Sequence, residues 1–357
     1  MEKALVRLFL LVSLTSSLVA CGSDDLQTSL DALAPKTEAL TPKALAPAAV
    51  WSWIDVPGAV CGNGSPTGFA VNLNPNSDRL LILYEGGGAC YDALSCYVLH
   101  TAAYVTTGYN EETFRTNRGE LERLQTFAVT DRQDPNNPFA DISFAYIPYC
   151  TGDVHGGTNV IRYPGPYKQP IHHVGFLNGQ LFTQVLAQAL PQVQHVWVSG
   201  YSAGGFGATF HYADTQEQFP QARIDLIDDS GESFPDTPLH DSWGLNLPED
   251  CDTCDRNNFA SLVQYYSRTY PQSRFATLSY SDDRVLPLYF HLSKEQFAAK
   301  MRDYEAVLDA LPNTRYFVFS GTGHVLMRKK NPVINDKTLA AWLTDMVNDE
   351  AEWQSYK

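Results

Sequence analysis

Beyond about residue 50 the chain alternates two hydrophobic patterns. Short apolar-rich runs occur at residues 78–84, 142–147, 196–198, 223–227, 275–280 and 314–319. Each has the length and the β-branched or aromatic character of a buried strand. Residues 179–190 and 339–347 instead place apolar residues at helical spacing, and residues 206–212 lack proline and can continue as a helix. This alternation predicts an α/β domain with a mostly parallel sheet and helices on both faces. Residues 231–270 break it. They are polar, carry Pro235, Pro238 and Pro248, and lie between two core strands, which predicts a cap inserted over the carboxyl edge of the sheet.

The amino-terminal pattern is of another kind. Lys3 and Arg7 precede a mostly apolar stretch at 8–14 that is too short to span a bilayer. It leads into Leu18-Val19-Ala20-Cys21, which resembles a bacterial lipobox. Residues 1–21 are therefore expected to be a lipoprotein signal peptide, with Cys21 the lipidated residue that anchors the chain to a membrane. Gly22-Ser23 after the cysteine, rather than Asp, fits the outer membrane of a cell envelope. Residues 22–49 are rich in Ala, Pro, Thr, Ser and Leu without a period and predict a flexible tether. The folded domain then covers 50–357.

Composition narrows the function. The chain has 357 residues, 44% apolar and 12% aromatic, enough for one large α/β domain or two small ones. A net charge of −15 argues against nucleic acid as a partner. Arg328-Lys329-Lys330 is the one basic cluster. Apart from Cys21, six cysteines remain, and an even number in an exported chain points to disulfides. Short spacings favour Cys90–Cys96 and Cys251–Cys254, which leaves Cys61–Cys150. The Cys251/Cys254 spacing would also suit half a zinc site or a redox pair, but no second such pair accompanies it.

The candidate chemistry begins at Gly200-Tyr201-Ser202-Ala203-Gly204. This is G-x-S-x-G between a strand and a helix, the setting of a nucleophile elbow. A serine hydroxyl needs a base, and the base needs an orienting acid. Of nine histidines, only His324 follows a late strand on a glycine-rich loop, Gly321-Thr322-Gly323. The preceding strand runs into Asp282-Asp283. Asp283, followed by Val285-Leu286-Pro287, is preferred as the acid, with Asp282 the alternative. Asp228 and Asp229 are a fallback, although capping of the turn at Ser230-Gly231 accounts for them better. Negative charge developing on a substrate oxygen needs backbone N–H donors. Ala203 supplies one, and Gly87 and Gly88, in the cluster after residues 78–84, supply others. His155 and Asp153 stand at the end of a core strand, where they could line the pocket or bond within their own turn. Neither metal nor cofactor is called for.

Five segments carry a family resemblance. Residues 61–66, Tyr84 through Cys90, Tyr149 through Asp153, Gly200 through Gly205 and Asp229-Ser230-Gly231 resemble, in order, the pectin acetylesterase family of Notum-like α/β-hydrolases. The resemblance implies an α/β-hydrolase with a Ser-Asp-His triad on Ser202, Asp283 or Asp282, and His324. It departs at Gly88-Ala89, where plant and animal members carry a Trp near the glycines. The expected activity is that of a serine carboxylic-ester hydrolase that removes O-acetyl groups from an extracellular polysaccharide such as pectin. A longer-chain deacylase and a non-catalytic glycan-binding lipoprotein are the alternatives. The oligomeric state is not legible in the sequence.

Overall fold

The computed structural model describes residues 50–357, apart from Lys168 and Pro238. The expected signal at 1–21, Cys21 and the tether at 22–49 lie outside the described residues. Among the described residues, no helix is long and apolar enough to cross a membrane.

The chain opens with an antiparallel hairpin, β1 (Ser52–Val60) and β2 (Pro66–Asn72), followed by β3 (Arg79–Tyr84) and β4 (Ser143–Ile147). A separate ribbon, β5 (Asn159–Ile161) and β6 (Ile171–His173), precedes β7 (His195–Tyr201), β8 (Arg223–Asp229), β9 (Phe275–Tyr280) and β10 (Thr314–Phe319). Eight strands form one sheet in the order β1-β2-β4-β3-β7-β8-β9-β10. From β4 to β10 every pairing is parallel, whereas β2 runs antiparallel to β4. The central strands are buried along nearly their whole length, as their continuous apolar runs require.

Helices cover both faces. Between β3 and β4 come α1 (Ala93–Tyr97), α2 (Glu111–Thr116) and α3 (Arg118–Leu124), of which the last two pack on one face. Phe114 of α2 and Leu124 of α3 share a core with Leu81, Trp197, Ile227 and Phe317 of the sheet. On the other side pack α4 (Gly175–Ala189), α5 (Ala203–Gln218), α6 (Phe259–Thr269) and, beyond the short α7 (Leu286–Tyr289), α8 (Lys294–Asp309). The last helix, α9 (Leu339–Val347), buries Trp342 and Leu343 in the first core. This is the mostly parallel sheet with helices on both faces that the alternation implied, and the α/β-hydrolase architecture that the resemblance implied.

The structure divides the expected cap. Residues 259–269 are α6, whose Phe259 ring stands 5.1–5.2 Å from those of Phe210 and Phe206 on α5. They belong to the helical layer. The rest of the segment, before α6, is irregular apart from a single 3-10 turn at Asp241–Trp243. Its Trp243 is fully buried and donates from Nε1 to the Cys90 carbonyl at 2.9 Å, pinning the segment to the loop after β3.

Three disulfides join Cys61 to Cys150, Cys90 to Cys96 and Cys251 to Cys254. Bonds of this kind persist in oxidising compartments. The first ties the β1–β2 turn to the end of β4.

Candidate active site

The carboxyl ends of β3, β4, β7, β8, β9 and β10 all open on the same edge of the sheet, because these strands are parallel. Ser202 stands where β7 turns into α5. Its backbone is in a strained positive-φ setting, φ 56° and ψ −126°. The flanking glycines are steric necessities. A Cβ on Gly200 would lie 1.9 Å from the Gly204 carbonyl, and one on Gly204 would lie 2.0 Å from that of Tyr84. The Ser202 N–H donates to the Asp229 carbonyl at 2.8 Å, which fixes the elbow to the neighbouring strand.

His324 lies on the loop after β10, and its Nε2 is 2.8 Å from Ser202 Oγ. Its Nδ1 is 2.7 Å from Asp283 Oδ2. A carboxylate at Nδ1 selects the tautomer with the proton there. Nδ1–H then donates to Asp283, and Nε2 accepts the serine hydroxyl. Asp283 is 3% exposed, and its other oxygen accepts the N–H groups of Val285 and Leu286 at 2.7 and 2.9 Å. Asp282 is exposed and accepts only the Ser281 hydroxyl at 2.9 Å. The structure therefore brings Ser202, His324 and Asp283 together and leaves Asp282 outside.

The glycine turn after β3 abuts the serine. A Cβ on Gly86 would lie 2.9 Å from Ser202 Cβ and 2.5 Å from the Tyr201 carbonyl. Gly87 is half-buried and Gly88 exposed. Among the described residues, the N–H groups of Gly87, Gly88 and Ala203 are not spent on loop or turn hydrogen bonds. Unspent N–H groups on the turn and at the elbow are the kind of donor that an oxyanion at Ser202 requires.

Asp228 and Asp229 do not contact His324 through their side chains. Asp229 is fully buried, and it accepts the N–H groups of Leu326 and Met327 and the Ser230 hydroxyl. Burial pushes it up to about 6 against those donors. Burial and then the neighbouring Asp229 charge push Asp228 up to about 8. His155 and Asp153 do not line an open pocket. Both are buried, with Asp153 accepting the Gly175 N–H at 2.7 Å and His155 Nε2 lying 2.8 Å from the Glu85 carbonyl.

Glu85, Gly86 and Asp229-Ser230 frame the site as well, without a motif in the sequence that singles them out for it. The signal for the first two was a lone acid between an apolar strand and three glycines. The basic run Arg328-Lys329-Lys330 lines a separate depression of about 400 Å³ that contains neither Ser202 nor His324.

Residues 46–241 match the pectinacetylesterase family model. Among curated proteins, palmitoleoyl-protein carboxylesterase notum2 of Xenopus laevis is 26% identical over 151 residues, 41% of this chain and 28% of its own length. Human palmitoleoyl-protein carboxylesterase NOTUM is 24% identical over 182 residues, 48% of this chain and 34% of its own. The Drosophila melanogaster protein of that name is 24% identical over 217 residues, 54% and 31% of the two chains. The chain thus spans about a third of the length of these relatives.

Proposed function

Since the chain belongs to the pectinacetylesterase family, we propose that it is a serine carboxylic-ester hydrolase that removes O-acetyl groups from an extracellular polysaccharide such as pectin. The observation that carries this reading is the relay from Ser202 Oγ to His324 Nε2 at 2.8 Å and from His324 Nδ1 to Asp283 at 2.7 Å. Ser202 attacks the ester carbonyl while His324 takes its proton. Asp283 holds the imidazole and stabilises its charged form. The N–H groups of Gly87, Gly88 and Ala203 hold the tetrahedral oxyanion. His324 returns its proton to the leaving alcohol, and then draws one from the water that frees the acid.

Residues 50–357 act as the hydrolase domain in this reading, with the cap beside the carboxyl edge. Residues 1–21 direct export, Cys21 carries the lipid, and residues 22–49 tether the domain to the envelope. The lipobox motif and the three disulfides support that address.

Hydrolysis of p-nitrophenyl acetate, butyrate and decanoate, with Ser202→Ala alongside, tests the reading. Rates that fall with chain length and vanish in the variant support it. Rates that rise with chain length favour a long-acyl esterase. That second reading draws on the names of the relatives and on Val285 and Leu288, which are 37% and 76% exposed beside Asp283. No hydrolysis of any of the three esters would overturn both readings in favour of a glycan-binding module.

A further inference from the structure

The loop that carries the base sits on an aromatic ring from the strand that leads to the acid. Tyr280 is the last residue of β9, just ahead of Asp283, and is 8% exposed. A Cβ on Gly323, the residue before His324, would lie 2.2 Å from Tyr280 Cζ and 2.5 Å from both Cε1 and Cε2. Such short and equal distances to the two Cε atoms put that point over the face of the ring, at its hydroxyl end. A Cβ on Gly321 would lie 3.8 Å from Cδ1 of the same ring. The Gly321–Gly323 turn thus rests on Tyr280. The ring is itself held from the side. Phe319, at the end of β10, meets it edge to face with centroids 5.8 Å apart, and Lys329 Nζ lies 4.9 Å from the centre of the Phe319 ring.

Backbone bonds join the same two loops. The N–H groups of Ser281, Asp282 and Arg284 donate to the carbonyls of Phe319, Gly321 and Gly323 at 3.0, 3.0 and 3.3 Å. The Gly321 N–H donates to Ser281 Oγ at 3.2 Å. These bonds set the acid loop and the base loop side by side. None of them reaches the imidazole. Beyond it, the N–H groups of Val325, Leu326 and Met327 go to Ser230 and Asp229. His324 is therefore held on its far side by hydrogen bonds and on its near side by contact with the Tyr280 ring. Between the two holds the chain bends sharply. Val325 has φ 67°, a setting that a β-branched residue adopts only under constraint.

The placement is narrow. His324 must keep Nε2 at 2.8 Å from Ser202 Oγ and Nδ1 at 2.7 Å from Asp283. A displacement of about 1 Å in a reacting group can cost on the order of a hundredfold in rate.

We propose that Tyr280 is a positioning residue for ester hydrolysis, its ring being the seat that keeps Gly323, and through it His324, in line between Ser202 and Asp283. The proposal rests on the esterase reading above. The contact is made by Cζ and the two Cε atoms, which phenylalanine supplies equally. The hydroxyl has no part in it.

The test measures kcat and KM for p-nitrophenyl acetate, below the Tm of each protein, in wild type, Tyr280→Phe, Tyr280→Leu, Gly323→Ala and the double variant Tyr280→Leu/Gly323→Ala. Leucine keeps the side chain as far as Cδ and removes the atoms on which Gly323 rests. Its kcat should fall about ten- to a hundredfold with KM within about twofold of wild type. Tyr280→Phe should restore kcat to within about threefold. Gly323→Ala drives a methyl into the ring, should lower kcat by a similar factor, and serves if Tyr280→Leu does not fold. In the double variant that methyl enters the space the ring has left, so adding Gly323→Ala to Tyr280→Leu should cost no more than about threefold. Wild-type kcat in both Tyr280→Leu and Gly323→Ala overturns the proposal. So does a loss as large in Tyr280→Phe as in Tyr280→Leu, or a double variant whose losses simply multiply. Each of these leaves the esterase reading intact, whereas a wild-type protein that hydrolyses no ester overturns both.

Discussion

The carboxylate of Asp229 accepts the backbone N–H of Met327 at 2.7 Å. Its other oxygen takes the N–H of Leu326 at 2.9 Å, and Ser230 Oγ takes that of Val325 at 3.2 Å. Three consecutive amides after His324 are thus held by two residues at the end of β8. An acid that the sequence offered as a spare triad member instead fixes where the histidine loop lies. Asp229→Asn turns one acceptor into a donor facing an N–H group. It should lower kcat about ten- to a hundredfold with little change in KM, and lower stability by about 1–3 kcal/mol. Steady-state kinetics and thermal unfolding of one preparation would check both effects.

The elbow separates chemistry from folding. Ser202→Ala keeps the backbone and should leave Tm unchanged while turnover drops at least about a thousandfold. Gly204→Ala retains the serine but drives a methyl to within 2.0 Å of the Tyr84 carbonyl. It should lower both Tm and activity. A Gly204→Ala protein with wild-type Tm would show that the elbow yields more readily than its contacts imply.

The adjacent aspartates should part company by orders of magnitude. Asp283→Asn disturbs the tautomer of His324 and should lower kcat about ten-thousandfold. Asp282→Asn alters an exposed carboxylate and should stay within about twofold of wild type. Equal losses in the two would mean that the loop rearranges in solution.

A buried acid remote from the site gives a pH test free of catalysis. Asp214 on α5 is 5% exposed, and burial pushes it up to about 7, although Gln180 donates to it at 3.2 Å. Its protonated form fits the fold. The stabilisation is therefore complete below about pH 4 and is lost as pH rises through about 7. Asp214→Asn should raise Tm by about 2–4 °C or more at pH 8 and give no gain at pH 4. Calorimetry at the two pH values would read the difference directly.

The legible parts of this chain are those whose cause is local. β3, β4, β7 and β9 are continuous apolar runs because both faces are buried. The elbow, the acid loop and the histidine loop each lie within a few residues of a strand end, so strand assignment located all three. The hairpin β1–β2 was missed because β1 is half-exposed, interrupted by Pro57 and Gly58, and shifts register between Asp55 and Val60. Helix α8 was missed although Ser293 and Gln296 form a capping box at its start. The Asp229 grip on residues 326–327 and the Tyr149 hold on Glu85 lay out of reach for a different reason. Each joins segments far apart in the chain, and no local pattern of residue types encodes such a meeting.

The Cys61–Cys150 bridge has a bearing on when the protein becomes competent. Cys150 follows Tyr149, whose N–H donates to the Glu85 carboxylate beside the glycine turn, while Cys61 sits at the turn of the first hairpin. A newly made chain in a reducing compartment lacks this tie. The framing of the turn beside Ser202 is therefore completed by an oxidant. If the chain is exported as proposed, this last tie of the site would form only after the polypeptide has left its place of synthesis.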